Sequence, residues 1–148
     1  MPTSPLEKAE AIASVAHEGQ LDKRGRPFLA HLRRVAGCVC GEDERIVALL
    51  HDVVEKGPGW TLSALAAKGF SPEIVAAVDA LTRREGESDQ AFVARAVALP
   101  LARSVKRADL KDNLESARQF MSGPEAEERI ARYEAELREL DAAIQAAA

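Results

Sequence analysis

Aromatic residues are scarce in this chain, at 4% of its 148 positions, so its core has to be built from Ala, Val, Leu and Ile. Alanine is the best helix former, and its abundance leans the chain toward helix before any pattern is read. Cysteine is nearly absent: only Cys38 and Cys40 occur, in a C-x-C pair with no second pair. That excludes a disulfide framework and a zinc-ribbon site, and it predicts one buried and one partly exposed helical thiol. No apolar run approaches the roughly 18 residues of a membrane span. Met1 to Leu6 has neither a basic n-region nor an apolar h-region. The expectation is a cytoplasmic protein with no membrane partner. An excess of basic charge is missing too. Lys and Arg number 20 against 24 Asp and Glu, a net charge of -4. That argues against nucleic acid as a partner, because general binders carry a basic stripe. A small phosphorylated ligand held by a few local cations stays open.

The chain does have the composition of a globular protein, 47% hydrophobic and 30% charged. Its length fits one domain over residues 1–148. The punctuation is helical throughout. Ser4-Pro5 with Glu7 reads as N-cap, N1 proline and capping-box carboxylate, and Leu6, Ala9, Ile12, Ala13 and Ala16 share a face up to Gly19. A polar loop from Gln20 to Arg26 follows. Pro27 opens a second helix that Gly41 stops, and a third runs from about Asp43 to Val54. Lys56-Gly57-Pro58-Gly59 breaks the chain. Thr61, Ser71 and Ser88 cap three further helices. Pro100 restarts the chain into a helix spanning Leu101 to Asn113. Ser122-Gly123-Pro124-Glu125 begins a long amphipathic helix over about 124–146, with Ile130, Tyr133, Leu137, Leu140 and Ile144 in one stripe. No segment alternates with period two. The fold class is therefore all-α, a single-domain bundle of about seven or eight helices. The stripe on the last helix reads as core packing, with a homo-oligomer seam as the alternative.

Histidine occurs three times, as His17, His31 and His51. His51-Asp52 stands near the end of the third helix, where an imidazole and a carboxylate on adjacent residues can reach one metal. His31 lies one helix upstream among apolar neighbours. Asp109 lies within the apolar stretch Val105, Ala108, Leu110, and a carboxylate among buried residues needs a partner, of which a metal is one. Two imidazoles and two carboxylates form a mixed N/O set suited to a six-coordinate divalent ion. Mn2+ or Fe2+ fits that set well, and Mg2+ less so. His17 reads as a structural helix-end residue, and Arg83 and Arg84 as loop charges. Trp60 either plugs the bundle or lines a pocket.

Several stretches then carry a resemblance. They are Ala16-His17-Glu18-Gly19-Gln20, Pro27-Phe28-Leu29-Ala30-His31 and Ala48-Leu49-Leu50-His51-Asp52-Val53-Val54-Glu55. Leu81-Thr82, Val105-Lys106-Arg107-Ala108-Asp109-Leu110 and Asn113 follow in the same order. Together, over a core of about 5–115, they resemble the HD hydrolase domains of the RelA/SpoT type and the stand-alone small alarmone hydrolases. The resemblance implies an HD-type helical fold with one divalent metal, Mn2+ favoured, on His31, His51, Asp52 and Asp109. It implies Asp52 and Glu55 as catalytic carboxylates, with Glu55 holding or deprotonating the attacking water. Asn113 falls on a residue that approaches the nucleotide, and Lys23 and Arg24 fall in a loop that carries basic residues toward base and phosphates. Lys56 and Lys106 are further candidates for binding substrate, with a structural pairing as the alternative for Lys106.

The chain also departs from the family pattern. Lys56 stands where the family has a second acid, Phe28 replaces a tyrosine, and Arg107 replaces an apolar residue. The segment between Leu81 and Val105 is short. Three functions follow as expectations. The first is a metal-dependent phosphohydrolase of a nucleotide or related metabolite, with guanosine tetra- or pentaphosphate 3′-pyrophosphate hydrolysis as the leading activity. The second is a sensor that binds metal and nucleotide without turnover. The third is a purely structural helical module.

Overall fold

The computed structural model describes residues 3–147; Met1, Pro2 and Ala148, which the reading of one domain over 1–148 includes, lie outside the described residues. Those residues form nine helices: α1 (Pro5–Ala16), α2 (Phe28–Gly37), α3 (Glu42–Leu50), α4 (Val53–Lys56), α5 (Leu62–Ala67), α6 (Pro72–Ala80), α7 (Asp89–Val97), α8 (Pro100–Phe120) and α9 (Pro124–Ala147). Four of the helix starts follow from local chemistry. The hydroxyls of Ser4, Thr61, Ser71 and Ser88 accept the N–H of Glu7, Ala64, Ile74 and Ala91, satisfying donors that a helix start leaves orphaned.

The expected third helix is two pieces. His51 and Asp52 form a turn between α3 and α4, with Asp52 at φ −104 and ψ 0. No glycine or proline marks that break. A second difference concerns α8, which runs to Phe120 instead of ending at Asn113. Leu114 and Ala117 continue its buried face, and burial of that face outweighs the polar residues at 112–113. A third concerns the thiols. Cys38 and Cys40 are both exposed and free, beyond the end of α2. In this non-helical link Val39 takes the buried position, so its two neighbours face outward.

Two hydrophobic clusters hold the helices together. The larger gathers Leu32, Val35, Ile46, Leu50, Val53, Leu65, Val78 and Val105, with Trp60 packed against it. The smaller gathers Val93, Leu110, Leu114, Ala117, Tyr133 and Leu140. Helix α8 contributes to both, and α9 closes the second, which bears out core packing for its stripe. Arg107 ties α8 to α9 through Asp141 (Nε to Oδ1, 2.8 Å). Among the described residues no helix is long and apolar enough to cross a membrane.

The turn after α4 is tightly built. A Cβ on Gly57 would lie 2.5 Å from the Val53 carbonyl oxygen and 2.8 Å from Ala16 Cβ. Backbone cannot yield there as a flexible side chain would. Gly57→Ala is expected to cost about 1–3 kcal/mol, the range for overpacking a filled site. Denaturant melts check this, and a cost below about 0.5 kcal/mol would show that the turn relaxes freely.

Candidate metal centre

Helix α8 builds one side of the site from its own periodicity. Asp109, Asp112, Asn113 and Ser116 follow the i, i+3, i+4, i+7 spacing that places residues on one face. All four line a single cavity of about 490 Å³. The opposite side comes from the broken helix, since the turn at His51-Asp52 aims both side chains inward. His31 on α2 supplies the remaining imidazole. One donor atom from each of His31, His51, Asp52 and Asp109 lies within 4.8 Å of the other three. The closest pairs are His31 Nε2 to Asp109 Oδ1 at 2.9 Å, His51 Nε2 to Asp52 Oδ2 at 3.2 Å and His51 Nε2 to Asp109 Oδ1 at 3.3 Å. Ligand bonds of about 2.1 Å place adjacent donors about 3 Å apart and opposite ones about 4.2 Å apart, so the set can enclose one ion.

The imidazoles are prepared for that role. His51 donates Nδ1–H to the Ala48 carbonyl oxygen at 2.6 Å, which leaves Nε2 facing the carboxylates. That Nε2 is buried, and although Asp52 and Asp109 oxygens lie 3.2 and 3.3 Å away it makes no well-aligned hydrogen bond among the described residues, a state rare for a buried polar atom. A metal is the partner its surroundings fit. His31 donates Nδ1–H to Asp112 Oδ2 at 2.6 Å, which likewise turns Nε2 toward the cluster. A carboxylate or carbonyl behind a ligating imidazole fixes its tautomer and orientation. With neutral imidazoles, Asp52 and Asp109 leave two negative charges that a divalent cation cancels.

Without an ion, protons take its place. Burial opposes charge on His51, but Asp52 and Asp109 outweigh it and hold its pKa well above the ordinary value. Burial is likewise overridden at His31 by Asp109 and Asp112. Burial pushes Asp52 up, yet His51 brings it down to about 2. Burial is also overcome at Asp109 by His51 and His31, which hold it well below the carboxylate range. The metal-free folded protein therefore keeps protons on His31 and His51 that the unfolded chain releases above about pH 6.5. That stabilisation is fully present below about pH 6.5 and is lost as pH rises from there through the raised native values. His17, whose pKa burial lowers, acts with the opposite sign only below about 6.5. Melts in EDTA are thus expected to show Tm falling as pH rises from about 6.5 to 9. A Tm that is flat or rising over that window contradicts this.

The cavity wall holds some of the expected substrate residues and not others. Lys23 lines it and donates to Asn113 Oδ1 at 2.9 Å. Arg24 lies behind the wall, donating Nε–H to Ser116 Oγ at 2.9 Å. Lys56 lines it, with Nζ 4.5 Å from the Phe28 ring centroid, a cation–π contact. Its carbonyl accepts from Gln20 Nε2 at 2.8 Å, and Gln20 Oε1 meets His17 Nδ1 at 2.8 Å. His17 thus acts structurally at the end of α1. Glu55 is exposed and off the cavity wall. Lys106 is buried with Nζ 4.4 Å from the Phe92 ring centroid, away from the cavity. Arg83 and Arg84 pair with Asp89 and Asp79 on the surface.

Sequence reasoning missed Arg34, Asp112, Ser116, Arg129 and Tyr133, all of which line the cavity. The helical spacing after Asp109 was the available signal for Asp112 and Ser116. Tyr133 was visible only as one member of an apolar stripe.

No family model matches the chain. It is 32% identical over 142 residues to the probable GTP pyrophosphokinase of Mycobacterium leprae, an alignment that covers 87% of this chain and 18% of that protein. It is 30% identical over 146 residues to the bifunctional (p)ppGpp synthase/hydrolase SpoT of Escherichia coli K12, covering 89% of this chain and 20% of that protein. The chain thus spans about a fifth of the length of these curated relatives. A solved structure of a metazoan SpoT ortholog, described as hydrolysing ppGpp with a role in starvation responses, superposes with a TM-score of 0.78 at 22% identity. That match covers 97% of this chain and 87% of that one. In fold and in sequence, this chain resembles the HD-type hydrolase domain of the RelA/SpoT proteins.

Proposed function

We propose that this chain is a metal-dependent phosphohydrolase of a nucleotide or related phosphorylated metabolite, with (p)ppGpp 3′-pyrophosphate hydrolysis as the leading activity. The observation that carries the reading is the convergence of His31, His51, Asp52 and Asp109, with His31, Asp52 and Asp109 at the wall of a cavity that Lys23, Lys56 and Arg129 also line. The cavity volume lies within the range of small-molecule sites. The relatives' names, SpoT and guanosine-3′,5′-bis(diphosphate) 3′-pyrophosphohydrolase, support the substrate class.

His31, His51, Asp52 and Asp109 would hold the ion, with Mn2+ favoured over Fe2+ and Mg2+. When bound, such an ion lowers the pKa of a coordinated water and polarises a phosphoryl oxygen. Asp52, beside His51, would hold the ion and lie next to the water it activates. Lys23, Lys56 and Arg129 neutralise charge on the phosphates, and Asn113 reaches the nucleotide. Arg24 braces this wall through Ser116. Glu55 is the water-orienting acid the family resemblance implies, and it stands exposed just outside the wall. Lys106, buried against Phe92, takes no part in this arrangement. Phosphate and pyrophosphate release should be measured with Mn2+ from guanosine tetraphosphate, nucleoside mono- and triphosphates and an aryl phosphate. Release that EDTA abolishes is the expected result, and no release from any substrate by metal-loaded protein overturns the proposal.

A second reading has its own observation. Lys56, not an acid, occupies the wall, and Glu55 lies off it. A sensor that binds metal and nucleotide without turnover would show nucleotide binding with no product. We place either activity in the cytoplasm and leave a homo-oligomer as a matter for sizing measurements.

A further inference from the structure

Asp112 belongs to a chain of half-buried ion pairs that links the metal cluster to the basic loop. Its Oδ2 accepts Nδ1–H of His31 at 2.6 Å. Arg34 grips the same carboxylate with two hydrogen bonds, Nε to Oδ1 at 2.9 Å and Nη2 to Oδ2 at 3.2 Å. Arg34 Nη2 also donates to Asp22 Oδ2 at 3.0 Å. The other oxygen of Asp22 accepts the backbone N–H groups of Arg24 and Arg26, each at 2.9 Å. The Asp22 side chain is 2% exposed and that of Asp112 11%. The loop closes with one antiparallel bridge between Leu21 and Pro27, and Gly25 takes its left-handed position at φ +77. It carries Lys23 to the cavity wall. Every link is short, and the fork of Arg34 fits a carboxylate on each side.

The two imidazoles are therefore held differently. His51 leans on a neutral carbonyl of its own helix, whereas His31 leans on a carboxylate whose charge Arg34 shares with the loop. A charged acceptor makes the ligating nitrogen more basic, and losing such a partner typically weakens metal binding.

We propose that Asp112 is a positioning residue for the metal and that the run Asp112–Arg34–Asp22 couples metal binding to the order of the loop at residues 21–27. The inference rests on the metal-binding reading above and adds residues that reading does not use. Coupling is reciprocal: an ion that fixes His31 stiffens the loop, and a looser loop weakens the ion.

The test needs no turnover. Free Mn2+ is followed by electron paramagnetic resonance during titration, and loop amide exchange is measured with and without Mn2+. Asp112→Asn is expected to weaken Mn2+ binding by about 10–100-fold. Arg34→Gln should weaken it also, while speeding exchange at Arg24 and Arg26. Exchange there should slow with Mn2+ in the wild type and in Arg33→Gln, a substitution at the surface pair with Glu10, but not in Asp112→Asn. Asp112→Asn affinity within about twofold of wild type overturns the inference; should that variant fail to fold, the same result for Arg34→Gln does so. Loop exchange indifferent to Mn2+ in the wild type overturns the coupling. A wild type that takes up no Mn2+ overturns the metal reading and this inference together.

Discussion

Replacing Asp109 by Ala is expected to lower Mn2+-dependent hydrolysis by about a thousandfold or more, and to remove the thermal stabilisation that Mn2+ gives the wild type. Asp109 is the member of the cluster that meets both imidazoles, at 2.9 Å from His31 and 3.3 Å from His51. Its removal leaves two imidazoles and one carboxylate, a set with less charge and one donor fewer to hold a divalent ion whose Lewis acidity is worth several kcal/mol. At 1.36 kcal/mol per factor of ten, about 4 kcal/mol gives the thousandfold loss. Binding at about 100 times Kd stabilises a fold by about 2.7 kcal/mol. At this chain length that is a rise of about 5–10 °C in Tm, which Asp109→Ala should not show. The two readouts separate causes. A variant that keeps the Mn2+-induced rise but loses turnover assigns Asp109 to chemistry; one that keeps both removes it from the site.

Lys56→Asp is expected to raise alarmone hydrolysis, by about a hundredfold if an acid at this position acts as a general base. Position 56 lines the cavity and position 55 does not. An acid placed at 56 therefore faces the water that Glu55, as it stands, does not. The substitution also removes a cation from beside Asp52 and ends the contact over Phe28. That loss is small, of order 0.5–1 kcal/mol for an exposed cation–π pair, so folding should survive. Initial rates on guanosine tetraphosphate check the outcome. Unchanged rates in a folded variant mean that Lys56 does not block this chemistry.

Features set by neighbours in the chain were legible in the sequence. The N-caps at Ser4, Thr61, Ser71 and Ser88 are three-residue events, and each is found where expected. His31, His51, Asp52 and Asp109 could be read because their residue types are conspicuous among apolar neighbours. The break at His51-Asp52 could not, since no glycine or proline announces it and tertiary packing imposes it. The exposure of Glu55 depends on where that turn points the one-turn α4. Asp112 and Arg34 went unread, because their pairing joins residues 78 apart. The expected buried thiol is not found for a related reason: the end of α2 changes which residues face inward, and helical periodicity does not say where the period stops.

The division of the core has a bearing on how this fold can change. The donors His31, His51 and Asp52 stand on α2 and the α3–α4 turn, rooted in the larger cluster, whereas Arg129 and Tyr133 reach the cavity from α9, which closes the smaller one. The scaffold for the ion and the far wall of the cleft are thus separate parts that meet along α8. Mutations in α9 can redraw that wall while leaving the ligands in register, so divergence toward new substrates need not pass through forms that have lost their metal.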